Sequence, residues 1–365
     1  MRARLASVRA NEYTVNLFTG NGQFGDDLME TLQHQITIPL ELEGKRLDQA
    51  LAEMLPEYSR SRLKEWILAG YVTLDGSQPA PRTRVASGQQ VSMTAVLEPQ
   101  QDAKPEPMDL VVVFEDDDLL VIDKPAGLVV HPGAGNASGT LMNGLLHHAP
   151  DLAALPRSGI LHRLDKDTSG LLLVAKTIAA HTQLVQDLQR RAITREYRAV
   201  CDGRVTAGGE IDAAIGRHPT QRTRMAVTER GRPARTHYRI LTRFPTQTFL
   251  ALRLDTGRTH QIRVHMAHIR HALVGDRAYG GRLKIPAGAS EQLASYLRAF
   301  SRQALHATRL AFRHPAGQQM LELQSPLPVD FVRLLETLDG AAQPNKRPGD
   351  PGRWDRMKWP EPESS

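Results

Sequence analysis

The sequence holds a single cysteine, Cys201, in 365 residues. An internal disulfide is therefore excluded and thiolate metal sites nearly so, which favours a reducing compartment, expected to be the cytoplasm. No stretch approaches the roughly 18 apolar residues of a membrane span, and residues 1–30 lack the apolar core of a signal peptide, so neither membrane insertion nor secretion is expected. A Walker A motif is absent, and GAGNASG at 133–139 has the wrong spacing for the dinucleotide fingerprint GxGxxG. Four histidines cluster at His260, His265, His268 and His271, and steps of three could place the last three on one helical face. No HExxH motif or cysteine pair accompanies them, so no metal site is expected. No internal repeat is visible.

What remains is the composition of a globular chain long enough for two or three domains, 41% hydrophobic and 24% charged, with a net charge of +6. A basic excess favours an anionic partner over an acidic small molecule, the more so where it is concentrated. It is concentrated between Gly216 and Arg239, where Arg217, Arg222, Arg224, Arg230, Arg232, Arg235 and Arg239 are accompanied by one acid, Glu229. Pro219, Gly231 and Pro233 interrupt this run, so it reads as an extended hairpin or loop suited to backbone phosphates.

Residues 1–36 show no strong periodicity and are expected to form a loosely ordered extension. A short alternation over Ile36–Glu43 predicts a strand. Leu47, Ala50, Leu51 and Leu55 then recur at helical spacing, and a cap at Ser59 opens a second helix carrying Leu63, Trp66 and Ile67 that ends at Gly70. YVTLDG and QQVSM read as two strands. The polar, proline-containing QQDAKPEP reads as a linker. Strands are predicted at Leu110–Phe114 and Leu119–Ile122, followed by loops in which His131 reads as structural. A helix over Thr177–Arg191 with Leu184, Val185 and Leu188 inward precedes a strand around Tyr197, and Leu250–Leu254 is a further strand. A short helix after Gly280, strands in RQALHATRLAFRHP and LELQSPLP, and a helix over Val329–Leu338 complete the pattern. The charged segment beyond, rich in proline and glycine, is expected to be a disordered tail.

The chain turns on His162–Gly170, HRLDKDTSG, a charged loop feeding the continuous apolar run Leu171–Ala175, which reads as a strand buried on both faces. Asp165 lies there between Arg163 and Lys166, cations that favour its ionised form. Asp167 to Gly170 read as an ordinary turn. Downstream, Arg258 and Arg263 each offer a fixed fork of donors, and either could reach Asp165 across the fold. Taken alone, Tyr197 is an amphipathic packing residue, with Ala199 on its face of the strand and Glu196 and Arg198 on the other.

Residues 45–95 resemble the S4 RNA-binding module through RLDQAL, SRSRLKEWI and the VTLDG hairpin. That resemblance implies that the second helix, with Arg60, Arg62 and Lys64, lies against RNA; basic residues alone would describe a solvated face. Residues 109–335 resemble the RluA family of pseudouridine synthases through KPAGLVVHPG, HRLDKDTSGLLLVAKT, REYRAV, GRTHQIRVHMAH and RQALHA, in family order. The fold class implied is α+β: a pseudouridine synthase fold, a mixed, mostly antiparallel sheet with flanking helices and a central cleft, preceded by a small α/β S4 domain. The expected division is an extension over 1–36, the S4-like domain over 37–98, a linker over 99–108, the catalytic domain over 109–338 and the tail over 339–365.

The resemblance further implies isomerisation of uridine to pseudouridine in large-subunit ribosomal RNA, free or as an assembling particle, at the helix 69 stem-loop. Asp165 would be the catalytic carboxylate. Tyr197 would stack on the base and could take a sugar proton, Arg263 would pair with Asp165, and Arg163 would enter the space left by the flipped nucleotide. Arg217, Arg222, Arg224 and Arg258 would contact RNA. No metal, cofactor or membrane is implied, and a monomer is expected. Asp165 could attack the sugar, attack the base at C6, or support a glycal route. Two rivals stand beside this reading: a sister synthase with another ribosomal or transfer RNA target, and a non-catalytic RNA-binding assembly factor. One departure is visible. Where the family has HPLVGD this chain has His271, Ala272, Leu273, Val274, Gly275 and Asp276, and loss of the proline changes loop stiffness.

Overall fold

The structure is a computed structural model that describes residues 6–7, 16–19, 31–55, 60–96, 103–133, 135–221, 223–280, 285, 289–342 and 351–359. It divides into two units, 1–102 and 103–365.

The first unit is an antiparallel sheet of β1 (Ala6–Ser7), β2 (Asn16–Thr19), β3 (Thr31–Thr37), β4 (Val72–Leu74) and β5 (Gln90–Val96), in the order β1-β2-β3-β5-β4. Helices α1 (Leu47–Met54) and α2 (Arg60–Leu68) complete it. Leu47, Ala50, Leu51 and Leu55 from the first helical segment meet Leu63, Trp66 and Ile67 from the second in one buried cluster with Ile36, Val72, Val91 and Met93. The strand predicted over Ile36–Glu43 starts and stops earlier, at Thr31–Thr37. Pro39 has no N–H for a ladder, and Leu40–Leu42 turns into a 3₁₀ segment. The expected loose extension over 1–36 falls largely outside the described residues; within it, the described segments are strands. The predicted cap, Ser59, also lies outside them.

The second unit is built on a nine-stranded sheet. Its elements are β6 (Val112–Glu115), β7 (Leu119–Lys124), α3 (Leu141–His148), β8 (Ser169–Ala175), α4 (Ile178–Gln189), β9 (Thr194–Asp202), β10 (Gly209–Asp212), β11 (Ile215–Arg217), β12 (Met225–Val227), β13 (Arg235–Arg243), β14 (Gln247–Leu254), α5 (Gln261–His268), α6 (Glu291–Ala299), β15 (Leu305–Arg313), β16 (Met320–Gln324) and α7 (Val329–Ala342). The sheet runs β10-β13-β14-β9-β15-β8-β7-β6, with β16 pairing β15; β11 and β12 form a separate hairpin. Every pairing is antiparallel except β8 with β15.

The continuous apolar run in β8 has a direct cause. Leu172 and Val174 enter one buried cluster with Leu145, Tyr197, Leu252, Ile262 and Met266. Leu171, Leu173 and Ala175 enter the opposite cluster with Ala180 and Leu184 of α4. A strand covered on both faces must be apolar at every position, and each buried leucine contributes about 2 kcal/mol. Gly170, the second residue of the strand, has φ +112°, and an added Cβ there would lie 2.2 Å from the Ala307 carbonyl oxygen. Only glycine fits there, which brings the preceding loop hard against β15.

Two features differ from the sequence reading. Helix α3 follows the glycine-rich loop, begun by a capping box between Thr140 and Asn143. The expected disordered tail is also corrected where residues 351–359 are described. Trp354 is only 2% exposed and packs edge-on to Phe249 at 5.8 Å and Phe244 at 6.2 Å. Asp355 accepts from the Leu327 N–H, and the Met357 carbonyl accepts from Arg198. Isolated tryptophans in a polar segment escape a periodicity search because their partners lie far away in sequence. Trp354→Ala should destabilise the second unit by about 3–5 kcal/mol, measured as an earlier urea transition. A shift below 1 kcal/mol would show that this segment is not part of the core.

No described helix is long and apolar enough to cross a membrane.

Candidate active site

A cavity of about 740 Å³ opens where the 162–168 loop, β9, the end of β14 and the start of α5 meet. Its size lies in the roughly 300–1,000 Å³ range of ligand pockets. Asp165 and Tyr197 line it together with Arg163, Arg258 and Arg263.

Asp165 is placed by two features of its loop. The Thr168 N–H closes a turn on the Asp165 carbonyl at 3.0 Å. Below it, the fully buried Lys124 ammonium donates to the carbonyls of Pro125 at 2.8 Å, Leu128 at 2.9 Å and Lys166 at 3.0 Å. Three donors meet three acceptors, so the loop is pinned to the end of β7. Burial pulls the Lys124 pKa from 10.5 down to about 8, against the opposing fields of Asp167 and Asp165. The unfolded chain keeps this proton up to about pH 10.5 while the folded chain releases it near 8, so folding improves as pH rises across that window. Relative to Lys124→Met, the wild type should gain about 3 kcal/mol between those limits, read from urea unfolding. A difference that stays flat with pH would refute the burial of this charge.

The Asp165 side chain is 13% exposed and accepts from Arg263 Nη1 at 2.9 Å on Oδ2. The rest of the Arg263 fork, Nε and Nη2, donates to Asp276 Oδ2 at 2.7 Å and Oδ1 at 2.9 Å. Asp276 Oδ1 also accepts from the backbone N–H groups of Ala278 and Tyr279. Burial disfavours the Arg263 charge, but the hydrogen bonds and fields of Asp276 and Asp165 outweigh it and hold the guanidinium protonated. One arginine, fixed from behind by a buried carboxylate, therefore fixes Asp165 in front.

His260 closes the other side. It opens α5 in the left-handed region at φ +57°, with Nε2 3.9 Å from Asp165 Oδ1. Its Nδ1 is 2.7 Å from the Tyr279 hydroxyl, which accepts the Met225 N–H at 2.9 Å. Burial keeps the His260 ring neutral against the pull of Asp165. Through Met225 on β12, the arginine-rich hairpin is tied to this edge of the site. Tyr197 is buried along its length, and burial raises its pKa, so the phenol is neutral.

The sequence candidates separate into groups. Arg263 reaches Asp165, whereas Arg258 gives its Nε to the Pro233 carbonyl at 3.0 Å and lines the cavity without an Asp165 bond. Arg163 is exposed at the cavity. Arg217 and Arg224 lie on the β11–β12 hairpin and are not among the lining residues; Arg222 lies outside the described residues. In the first unit, Arg60 joins Arg46 on the buried Asp48, at 2.8 Å from Nη2 to Oδ2. Part of its charge is thereby committed within the fold. Lys64 is exposed, and the Arg62 side chain lies outside the described part. Two of the clustered histidines bond to the backbone: His265 donates to the Ala213 carbonyl and His271 to that of Asp202. Among the described residues no group of three or more potential ligands could hold a metal ion.

The missing proline of the 271–276 loop is offset by backbone bonds. Asp202 N–H donates to the Ala272 carbonyl and Val274 N–H to that of Val200, both at 2.9 Å. At Gly275, φ is +74° and an added Cβ would stand 2.1 Å from the Arg302 carbonyl oxygen. The turn presenting Asp276 is thus fixed by β9 and by close approach. Sequence reasoning gave no role to Asp276, His260 as the Asp165 neighbour, Tyr279, Lys124 or Arg195. For Arg195 a signal existed, since the period of a strand puts it on the face of Tyr197.

Residues 118–268 match the model of the RNA pseudouridylate synthase family, and residues 45–91 match the S4 domain. The chain is 55% identical over 309 residues to the ribosomal large subunit pseudouridine synthase D of Pasteurella multocida, covering 83% of this chain and 95% of that protein. It is 54% identical over 312 residues to the protein of the same name from Escherichia coli K12, covering 85% and 96%. Among solved structures, human RNA pseudouridylate synthase domain containing 4 superposes with a TM-score of 0.50 at 27% identity, over 63% of this chain and 93% of that one. An S4 domain followed by a mixed, mainly antiparallel sheet around a carboxylate-bearing cleft fits these matches, and the chain belongs to the RNA pseudouridylate synthase family, isomerases that convert uridine in RNA to pseudouridine.

Proposed function

We propose that this chain isomerises uridine in large-subunit ribosomal RNA, at the stem-loop of helix 69, with Asp165 as the catalytic carboxylate. The observation that carries the assignment is the Asp165–Arg263–Asp276 chain of ion pairs, which aims one carboxylate into a cavity shared with Tyr197 and an arginine-rich wall. The reaction breaks the bond from uracil N1 to the sugar, turns the base, and forms a bond from C5 to the same sugar carbon. The C5 proton leaves and N1 gains one. A detached base must be held throughout, which the buried Tyr197 ring serves by stacking and the surrounding walls by excluding water.

The target must leave its stack to reach Asp165, at a cost of a few kcal/mol that phosphate contacts offset. Arg163, at the exposed lip, is assigned to the space that the everted nucleotide vacates, and Arg258 to the adjoining chain. Arg217 and Arg224 on the hairpin and Arg222 between them in sequence, with Arg60, Arg62 and Lys64 on α2, are assigned to RNA outside the cavity. A loop uridine is the cheapest to evert, which favours a stem-loop substrate. The relatives named as ribosomal large-subunit synthases support the choice of RNA. The lone buried Cys201 suits a cytoplasmic enzyme.

Mapping pseudouridines in ribosomal RNA from a strain lacking this chain tests the assignment. Loss of the helix 69 modifications, restored by the wild-type chain, is expected. Loss elsewhere would assign a sister specificity, and an unchanged map would overturn the proposal.

A further inference from the structure

Among the described residues, three arginines of the second unit have less than a tenth of their surface exposed: Arg195 at 6%, Arg198 at 5% and Arg263 at 8%. Two have carboxylate partners. Arg263 is bound by Asp165 and Asp276, and Arg198 lies 3.7 Å from Glu196. Arg195 has no carboxylate within ion-pair range among the described residues. It makes one long hydrogen bond, Nη2 to the Leu254 carbonyl at 3.4 Å, and its buried Nε has no partner. An unpaired buried cation is costly, and no acid among the described residues offsets it.

The position of this cation indicates what it is for. Arg195 and Tyr197 occupy the same face of β9, one pleat repeat or roughly 7 Å apart, and both line the cavity. The guanidinium lies between the end of β14 and the loop before α5, where a Cβ on Gly257 would come 3.0 Å from Nη1. Beside it, the exposed Arg191 already has an acid, Asp255, at 3.5 Å. A full, buried positive charge with spare donors calls for a full negative charge. An RNA chain entering the cavity brings one on every linkage, whereas a uracil carbonyl in the ground state carries only a partial charge.

We infer that Arg195 is a phosphate-binding residue that grips the RNA backbone at a linkage flanking the everted uridine, one step along β9 from the base-stacking Tyr197. This rests on the proposed uridine isomerisation. The wall that holds the base and the wall that holds the chain are then a single strand, so the register of the RNA is fixed relative to Asp165.

The test uses the full-length chain and a ribosomal stem-loop RNA that the wild type converts, with single neutral methylphosphonate linkages placed in turn on either side of the target. One position should weaken wild-type binding about tenfold and leave Arg195→Gln unaffected. With unmodified RNA, Arg195→Gln should bind about tenfold more weakly, its salt dependence should fall by about one phosphate contact, and the loss should appear in kcat/KM through KM rather than in kcat. Arg195→Lys, which keeps the charge without the fork, should recover part of the affinity.

A fall in kcat with unchanged affinity would overturn the inference in favour of a contact to the base. Equal tolerance of methylphosphonate at every position would overturn it on the wild-type chain alone, even if Arg195→Gln did not fold. Failure of the wild type to convert any ribosomal uridine would overturn the underlying activity as well, which separates the two failures.

Discussion

Asp165→Asn should lose pseudouridine formation by on the order of 10³-fold or more while binding RNA within about twofold of wild type. The substitution is nearly isosteric, and its amide oxygen can still accept from Arg263. Arg263 keeps both bonds to Asp276, so its charge stays compensated and the cavity wall stays in place. What is lost is the negative charge and basicity at one atom pair inside the cavity, which each chemical route through Asp165 requires. The measurement is release of the C5 hydrogen from labelled RNA, set against affinity for the same RNA. Turnover within tenfold of wild type would remove Asp165 from the chemistry and leave an RNA-binding protein with a structural HRLD loop.

Asp276→Asn should have the opposite signature, a loss of about 3–5 kcal/mol in stability accompanied by a fall in activity. The Asp276 side chain is wholly buried and uses both oxygens on Arg263 while Oδ1 also takes two backbone N–H groups. An asparagine offers one acceptor and turns an NH₂ group toward the guanidinium, donor against donor. Arg263 would then remain a buried cation with Asp165 as its one carboxylate. Asp165 would be drawn from its alignment. Urea unfolding of wild type, Asp165→Asn and Asp276→Asn side by side gives the comparison. A stability loss below 1 kcal/mol for Asp276→Asn would show that Arg263 is not held by this pair. The two carboxylates flank one arginine, yet only the partly exposed one should be dispensable for folding.

These contrasts show where local sequence carries information. The β8 strand was readable because burial on both faces demands an unbroken apolar run. The α1 and α2 segments were readable because Leu47, Ala50, Leu51, Leu63, Trp66 and Ile67 repeat at the helical period and pack in one cluster. Proline and glycine in the basic stretch 216–239 pointed to an extended hairpin or loop; the structure forms the β11–β12 hairpin over its first part and carries Arg235 and Arg239 into β13 of the main sheet. Asp165 stood out through its neighbours and Tyr197 through family resemblance, and both line the cavity. Helix α3 was missed because its start is hidden behind a glycine-rich loop. The 351–359 segment was missed because a polar, proline-flanked composition conceals Trp354, whose partners Phe244 and Phe249 lie about a hundred residues earlier.

By itself, the sequence determined many of the elements and their faces, pointed to the family, and singled out Asp165, because periodicity and turn chemistry act over a few residues. The residues alone left Arg258 and Arg263 both able to reach Asp165, and the tertiary structure showed that Arg263 holds it, that Asp276 stands behind it, and that Arg195 is buried without an acid among the described residues. Those facts depend on which charges meet once distant segments fold together: Asp165 and Arg263 are 98 positions apart. An ion pair stabilises through its distance and its surroundings, and neither is written in the spacing of residues along the chain.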